Sequence, residues 1–368
     1  MERDFPEKEV PEKQQRQANY DALKILAISM EIIMHYMQKG GVLIPLSENT
    51  GVVNLLAWLI EALCIGAVNI FVLLSGYFLV KATWKWQRLL SLAAQVWFYS
   101  VGVPLLLLLL GIGNVREWGF YDWITAVLPL QSEHYWFATA YVVLYLFTPV
   151  LQAGIKAMSK KQFQIMLGGL LAFFSLEKTL SPVALSWDRY GYDFGWFICL
   201  FLIAAYVRLY GLPVLSKRER AWGSYLGCVL LIWIFSIIFA YLTAKGLPLS
   251  YMGDMLYSYN HLLVLVLSVG IFMAFGQLTI RKEFLKKIIC RISPYCLGVY
   301  LLHENIALRY RWQSWVGIDR VRGSFLFIPH MLLVTLLIFS AGILVDYLRE
   351  RLFGCFGRLC RGKGGNAR

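Results

Sequence analysis

The sequence predicts an all-α polytopic membrane protein with about ten transmembrane helices. Of its 368 residues, 59% are hydrophobic and 15% are charged, and the mean hydropathy is +0.60. Soluble domains are about half apolar and about a quarter charged. The apolar residues are grouped into runs long enough to cross a bilayer as helices, at about 20 residues per span. A chain of this length, filled by such runs, leaves little room for a separate soluble domain.

Polar breaks divide the chain into ten apolar segments. These segments are 20–38, 52–80, 89–111, 136–153, 163–179, 193–210, 222–244, 257–277, 293–310 and 324–347. The shorter stretch 118–130 is interrupted by Asp122 and Pro129, and we interpret it as an interfacial or re-entrant piece. The predicted organisation is an N-terminal tail (1–18), a membrane domain (19–348) and a basic C-terminal tail (349–368).

The positions of the basic residues test this division. With the N-terminus inside, 25 of the 35 Lys and Arg residues fall in inner segments, as the positive-inside rule requires. This asymmetry predicts that both termini are cytoplasmic. The exception is the last outer loop, which contains Arg309, Arg311, Arg320 and Arg322. A functional contact with an anion and a misplaced helix explain this exception equally well.

The residue pattern predicts neither a nucleic-acid partner nor a metal site. The net charge of +13 comes from short clusters rather than from a basic stripe with stacking aromatics, so no nucleic-acid partner is predicted. The seven cysteines form no CxxC pair and show no metal-ligand spacing. We therefore predict no metal site, and we interpret the cysteines as packing residues.

The first segment carries three polar groups, Lys24, Glu31 and His35. Eleven residues make three helical turns plus about 20°, so Lys24 and His35 share a face about 16 Å apart. Glu31 precedes His35 by one turn. Ionisable groups within a spanning helix usually face a protein interior or a watery cavity and mark a functional site. A polar helix-packing contact is the alternative.

The histidines add to this prediction. In the predicted topology all five fall in the outer half of the membrane or in outer loops, which favours an outward-facing proton-transfer site. His134 and His330 lie near helix ends, and each is better interpreted as an interfacial polar residue.

Several motifs follow one another along the chain. The first segment has a basic residue, ten intervening residues and a histidine, formed by Lys24 and His35. The second ends NIFVLLSGYFL, with an F-x-x-x-SG pattern at Phe71, Ser75 and Gly76. In this order the motifs resemble the acyltransferase 3 family of bacterial integral membrane acyltransferases, particularly those that O-acylate surface polysaccharides. Ser75 and Gly76 are better explained as packing and turn residues than as a nucleophile.

Three later stretches extend the resemblance over nearly the whole spanning region. The inner loop KATWKWQRLL fits the family's R-x-x-R element imperfectly, with Lys85 and Arg88 at the two basic positions. The stretches 134–151 and 293–305 are similar to the family's fourth helix and its late G-x-Y-x-x-H helix. Adjacent helical residues project about 100° apart, so we expect His303 and Glu304 not to form one dyad, with His303 facing the cavity.

The resemblance implies a membrane O-acyltransferase of the bacterial plasma membrane and cell envelope. It implies that an acyl group, an acetyl group by expectation, moves from cytoplasmic acyl-CoA to a hydroxyl of a surface polysaccharide or lipid-linked saccharide. We predict His35 as the general base, with Glu31 and His303 as further catalytic residues. The predicted donor-binding residues are Lys24, Lys85 and Arg88. The alternative is a transporter or glycan exporter with a proton path through the first helix; the residues do not specify the acyl group or the acceptor.

Overall fold

The structure is a computed structural model that describes residues 17–132 and 134–362, with side chains as far as Cys355. No β-strand occurs among the described residues, and helices form all their regular secondary structure. This confirms the predicted all-α class. Most of the predicted N-terminal tail, and residues 363–368 of the predicted C-terminal tail, lie outside the described residues.

Sixteen α-helices follow one another along the described chain. They are α1 (Ala18–Lys39), α2 (Val52–Cys64), α3 (Ala67–Leu79), α4 (Trp86–Leu110), α5 (Phe120–Val127), α6 (Trp136–Ala157), α7 (Lys160–Leu171), α8 (Lys178–Leu180), α9 (Phe194–Tyr210), α10 (Arg218–Ala244), α11 (Ser250–Met255), α12 (Leu262–Gly276), α13 (Glu283–Ile292), α14 (Cys296–His303), α15 (Trp312–Trp315) and α16 (Phe327–Gly362). A π-helical turn, Ala172–Glu177, joins α7 to α8.

Six helices of the described chain are long and apolar enough to cross a membrane. They are Val52–Leu79, Trp86–Leu110, Trp136–Ala157, Lys160–Leu180, Arg218–Ala244 and Phe327–Cys355. The apolar helices α9 and α12 are shorter. The protein is therefore a helical membrane protein, but ten spans are not confirmed.

Four of the ten predicted spans are not among these six helices, for two physical reasons. Each predicted segment contains helix, but α1 carries several charged residues. Helices α9 and α12 are short, and α14 has only 8 residues. The late segment predicted at 293–310 ends as a helix at His303 and continues as turns. By contrast, α16 runs on to Gly362, into the part of the chain predicted as a tail.

Helix α1 lies at the centre of the fold. It contacts α2, α3, α12, α13, α14 and α16, and its side chains Leu23, Ala27, Ile28 and Ile32 are fully buried. A helix that is apolar on several sides is buried within the protein rather than placed at its surface. The polar groups of α1 therefore face other helices of the same chain.

Glycines allow two close helix contacts that support this arrangement. A Cβ added at Gly76 of α3 would lie 2.8 Å from the Cα of Phe201 of α9. A Cβ added at Gly342 of α16 would lie 2.6 Å from the Cα of Val299 of α14. Small residues let helices approach closely, so the interpretation of Gly76 as a packing residue agrees with the structure.

The segment after α14 packs against the end of α1. Among residues 304–326 the only helices are the short α15 and a 3-10 turn, Ile318–Arg320. The Ile318 side chain is 1% exposed and lies close to Gly40, just after α1. The four arginines of this segment therefore lie in turns and short helices rather than in a long helix, and an anionic contact at these arginines stays a prediction.

Candidate active site

A hydrogen bond joins His35 of α1 to His303 at the end of α14. The His35 Nδ1 atom lies 3.0 Å from the His303 Nε2 atom. The other ring nitrogen of His303, Nδ1, lies 2.7 Å from the carbonyl oxygen of Val299. A carbonyl can only accept, so His303 Nδ1 carries a proton and, in the neutral ring, Nε2 accepts. His35 therefore donates through Nδ1, which leaves the lone pair on its Nε2 atom.

Glu31 faces that lone pair. Its Oε1 atom lies 3.4 Å from His35 Nε2, because the two residues are one turn apart on α1. Its Oε2 atom is buried and has no hydrogen-bond partner among the described residues. A buried carboxylate oxygen without a partner is costly. Such an atom is available to a proton, a water molecule or a substrate hydroxyl.

Glu304 approaches His35 from the opposite side of the imidazole. Its Oε1 atom lies 3.1 Å from His35 Nδ1 and also contacts the ammonium of Lys39. The expectation that His303 and Glu304 diverge assumed a continuous helix. Helix α14 instead ends at His303, and Glu304 occupies the C-cap position, so both side chains reach the same nitrogen of His35.

A cavity of about 390 Å³ lies on the Glu31 side of this cluster. Its lining includes Lys24, Glu31 and Arg88 together with mainly apolar side chains. The apolar and aromatic part of the lining comprises Val68, Phe71, Leu79, Leu89, Leu92, Phe137, Ala138, Tyr141, Tyr145, Cys296, Leu297 and Tyr300. A second cavity of about 500 Å³ opens beside the start of α1 and shares Lys24 with the first.

Two of the three predicted donor-binding residues line a cavity, and the third does not. Lys24 lines both cavities, and Arg88 lines the first and is exposed. Lys24 makes no ion pair or side-chain hydrogen bond with any residue that the structure describes. Lys85 lines neither cavity; its side chain is exposed and its backbone pairs with the Tyr145 hydroxyl. Lys24 and Arg88 thus line the same cavity, and Lys85 lies outside it.

The profile of the acyltransferase 3 family, an acyltransferase domain, matches residues 17–347. The chain belongs to this family. The match covers nearly the whole chain, and it makes this helical membrane protein an acyltransferase by family. Neither the curated proteins nor the solved structures include a significant match to it.

Three ionisable residues near His35 were not predicted to belong to the candidate site. Glu304 and Lys39 complete the surroundings of His35, and Glu61 of α2 accepts a hydrogen bond from Gln38 while its Oε2 atom stays buried without a described partner. Glu61 lies inside a predicted span, so the rule that singled out Glu31 applies to it equally. Lys39 and Glu304 lie at helix ends, where charged residues are common, and only the fold places them beside His35.

The remaining histidines have structural partners. His330 accepts from the Tyr36 hydroxyl and donates to the carbonyl of Val316. His134 accepts from the backbone N–H of Ile306 at 2.9 Å, and His261 caps the start of α12. His330 and His261 lie at the starts of α16 and α12, and His134 lies just before α6; that His134 and His330 lie at the membrane interface stays a prediction.

His35, His303 and Glu304 also converge closely enough for their side chains to approach one ion. Two observations favour a hydrogen-bonded cluster instead. The two imidazoles already share a hydrogen bond, and the Lys39 ammonium occupies the Glu304 oxygen that an ion would need. That no metal is required stays a prediction.

Proposed function

We propose that this acyltransferase moves an acetyl group from cytoplasmic acetyl-CoA to a hydroxyl of a surface polysaccharide or a lipid-linked saccharide. Family membership supports acyl transfer. One observation supports the proposed donor and the proposed proton transfer. A single cavity has Lys24 and Arg88 in its wall and also reaches Glu31, which contacts His35.

The cavity suits a phosphate-bearing thioester. Ammonium and guanidinium groups bind phosphates, and Arg does so with two parallel hydrogen bonds. The apolar wall beyond them suits a flexible pantetheine arm and a short acyl chain. A cavity of about 390 Å³ falls in the range of small-molecule sites, roughly 300–1,000 Å³. Lys24 and His35 are eleven residues apart, so the donor would extend about 16 Å from its phosphates to the base.

His35 supplies the proton transfer in this proposal. Its Nε2 lone pair takes the proton of the acceptor hydroxyl as the oxygen attacks the thioester carbonyl, and a C–O bond forms. The tetrahedral intermediate collapses with cleavage of the C–S bond, and the leaving thiolate takes the proton back from the imidazolium. The Nδ1 hydrogen bonds to His303 and Glu304 hold the ring and stabilise its charged form.

The charge distribution supports an assignment of the donor and acceptor sides of the membrane. We infer ten spans with both termini cytoplasmic, in the plasma membrane of a bacterial cell, because 25 of the 35 basic residues then lie inside, as the positive-inside rule requires. Lys24 and Arg88 lie toward the inner face in this topology, and His35 lies toward the outer face. The donor would then bind from the cytoplasm and the acceptor from outside.

Acetyl-CoA turnover by the purified protein in detergent tests the proposal. We expect CoA release that depends on His35 and that is stimulated by soluble saccharides. A Glu31 and His35 pair that only moves protons would instead leave acetyl-CoA intact, and proton flux in proteoliposomes without any CoA release would favour the transporter.

A further inference from the structure

The wall of the cavity contains a polar side chain, Gln95, to which the proposed function gives no role. The residues of α4 that line the cavity include Arg88, Ser91, Leu92 and Gln95. Spacings of three, four and seven residues place these side chains on one face of the helix. Arg88 and Gln95 are two turns apart, about 10.5 Å along the helix axis. Helix α4 therefore presents a guanidinium to the cavity and, two turns further along, an amide.

Asp346 of α16 fixes the orientation of that amide. Its Oδ1 atom accepts from the Gln95 Nε2 atom at 2.9 Å and from the Tyr99 hydroxyl at 3.0 Å. The Arg349 guanidinium donates to both oxygens of Asp346, at 2.7 and 3.2 Å, and Asp346 is 1% exposed. A carboxylate paired with an arginine is ionised and can only accept. Gln95 must therefore turn its amide nitrogen toward Asp346.

The side-chain carbonyl of Gln95 is left for a ligand. Its Oε1 atom accepts no hydrogen bond from any residue that the structure describes, and it is not one of the buried polar atoms that lack a partner. This oxygen is therefore accessible on a half-buried side chain that lines the cavity. A flip of the amide would bring Oε1 against the Asp346 carboxylate, where two acceptors would meet. The cavity thus contains a neutral hydrogen-bond acceptor of fixed orientation.

An acceptor two turns from a guanidinium matches the chemistry of the proposed donor. The pantetheine arm of CoA carries secondary amides between its phosphates and its thioester, and each amide has one N–H group. Transfer of an N–H group from water into a mainly apolar cavity is costly unless the group finds an acceptor. Arg88 can bind a phosphate of the donor while Gln95 accepts from an amide of the same molecule. A simple acyl chain has no group that would use Oε1.

We propose that Gln95 accepts a hydrogen bond from an amide N–H of the pantetheine arm and so selects pantetheine thioesters as acyl donors. Asp346 is the positioning residue that holds Gln95 for this contact. The inference rests on the proposed function, because it concerns the donor in the same cavity. Lys24 and Arg88 bind phosphates, which many metabolites carry, whereas Gln95 recognises the arm that leads to the thioester.

Two acetyl thioesters that lack phosphates test this role with the full-length protein in detergent. S-acetylpantetheine carries the arm without the nucleotide, and ethyl thioacetate carries the same thioester without the arm. Gln95→Met keeps an unbranched side chain but removes the amide. Loss of the contact should lower the ratio of kcat/KM for S-acetylpantetheine to kcat/KM for ethyl thioacetate about tenfold. The change should appear in KM more than in kcat, with thiol release followed by chromatography.

Tyr99→Phe is the matched control. It removes another donor to the same oxygen of Asp346, but the Tyr99 side chain is fully buried and is not part of the cavity lining. This variant should keep the wild-type ratio, as should Arg88→Ala, because neither thioester carries a phosphate. Gln95→Ala should reproduce the fall seen for Gln95→Met.

The outcomes separate the role of Gln95 from the proposed function. A wild-type ratio in both Gln95 variants would overturn the assignment. A fall of the same size in Tyr99→Phe would also overturn it, because the Asp346 network rather than the amide would then set the preference. Absence of thiol release with every donor, acetyl-CoA included, would instead overturn the proposed function on which the inference rests.

Discussion

The Nδ1 atom of His35 lies 3.0 Å from the Nε2 atom of His303, although 268 positions of sequence separate the two residues. The carbonyl of Val299 fixes the His303 tautomer, and His303 in turn fixes that of His35. The Nε2 atom of His35 is therefore a proton acceptor, and it faces Glu31 at the cavity wall. Its orientation depends on where α14 ends, because His303 is the last residue of that helix.

His35→Ala should abolish acyl transfer while the protein still inserts and folds. Loss of a general base lowers the rate by about 10² to 10⁴. His330→Ala, which removes a loop contact at the same end of the bundle, should have a much smaller effect. Wild-type transfer should also decrease in acid, because a protonated imidazole cannot accept a proton. The measurement is acetyl transfer at matched membrane expression; near-normal transfer by His35→Ala would exclude it as the base.

His303 should act by positioning His35. In His303→Gln the side-chain oxygen can still accept the His35 Nδ1 proton, whereas in His303→Leu nothing can. We expect about a 10- to 100-fold loss of kcat for His303→Leu, by analogy with hydrogen-bond partners of metal-bound histidines, and partial recovery for His303→Gln. Equal losses in the two variants would show that His303 has a role other than accepting this proton.

The sequence allowed prediction of the elements that depend on local pattern. The apolar runs predicted the positions of helices, and each predicted segment contains one. The spacing on α1 identified Glu31 and His35 as neighbours. The convergence of Lys39 and Glu304 on His35 was not predictable. It depends on the end of α14 and on the packing of residues 304–326 against α1, and no periodicity encodes these features. Lys85 was grouped with Arg88 because of motif spacing, but only Arg88 reaches the cavity.

Arg88→Ala should raise KM for acetyl-CoA more than KM for the acceptor. Arg88 lines the cavity, where its guanidinium can bind the donor phosphates. Lys85→Ala removes a positive charge from the same stretch but from a side chain outside the cavity, so its KM shift should be several-fold smaller. Initial rates at varied acetyl-CoA would measure both, and similar shifts would mean that only the general charge of this stretch matters.

Both termini should be cytoplasmic. The wrong orientation would place most of the basic residues outside, against the positive-inside rule. In a cysteine-free background, a membrane-impermeant maleimide added to intact cells should label Ser47→Cys, between α1 and α2, and should not label Gly365→Cys. Strong external labelling at position 365 would require an odd number of spans or a reversed orientation.

His134 should make the stability of the protein depend on pH. Burial, and then the positive charge of Arg309, lower its pKa from the ordinary value of 6.5 to about 3. The unfolded chain therefore binds more protons than the folded chain between pH 3 and 6.5. The contribution of His134 is fully present above pH 6.5 and is lost as the pH falls toward 3, by at most about 1.4 kcal/mol per pH unit.

The physical reason lies in the hydrogen bonds of the neutral ring. His134 Nε2 accepts from the N–H of Ile306, and Nδ1 lies 3.1 Å from the Ser100 hydroxyl, so protonation would remove the acceptor that holds the segment after Glu304. Glutamine can donate and accept without titrating. Thermal unfolding in detergent from pH 7.5 to 5 should therefore show a smaller loss of Tm for His134→Gln than for wild type. Parallel curves for the two proteins would show that the buried neutral imidazole does not contribute to acid sensitivity.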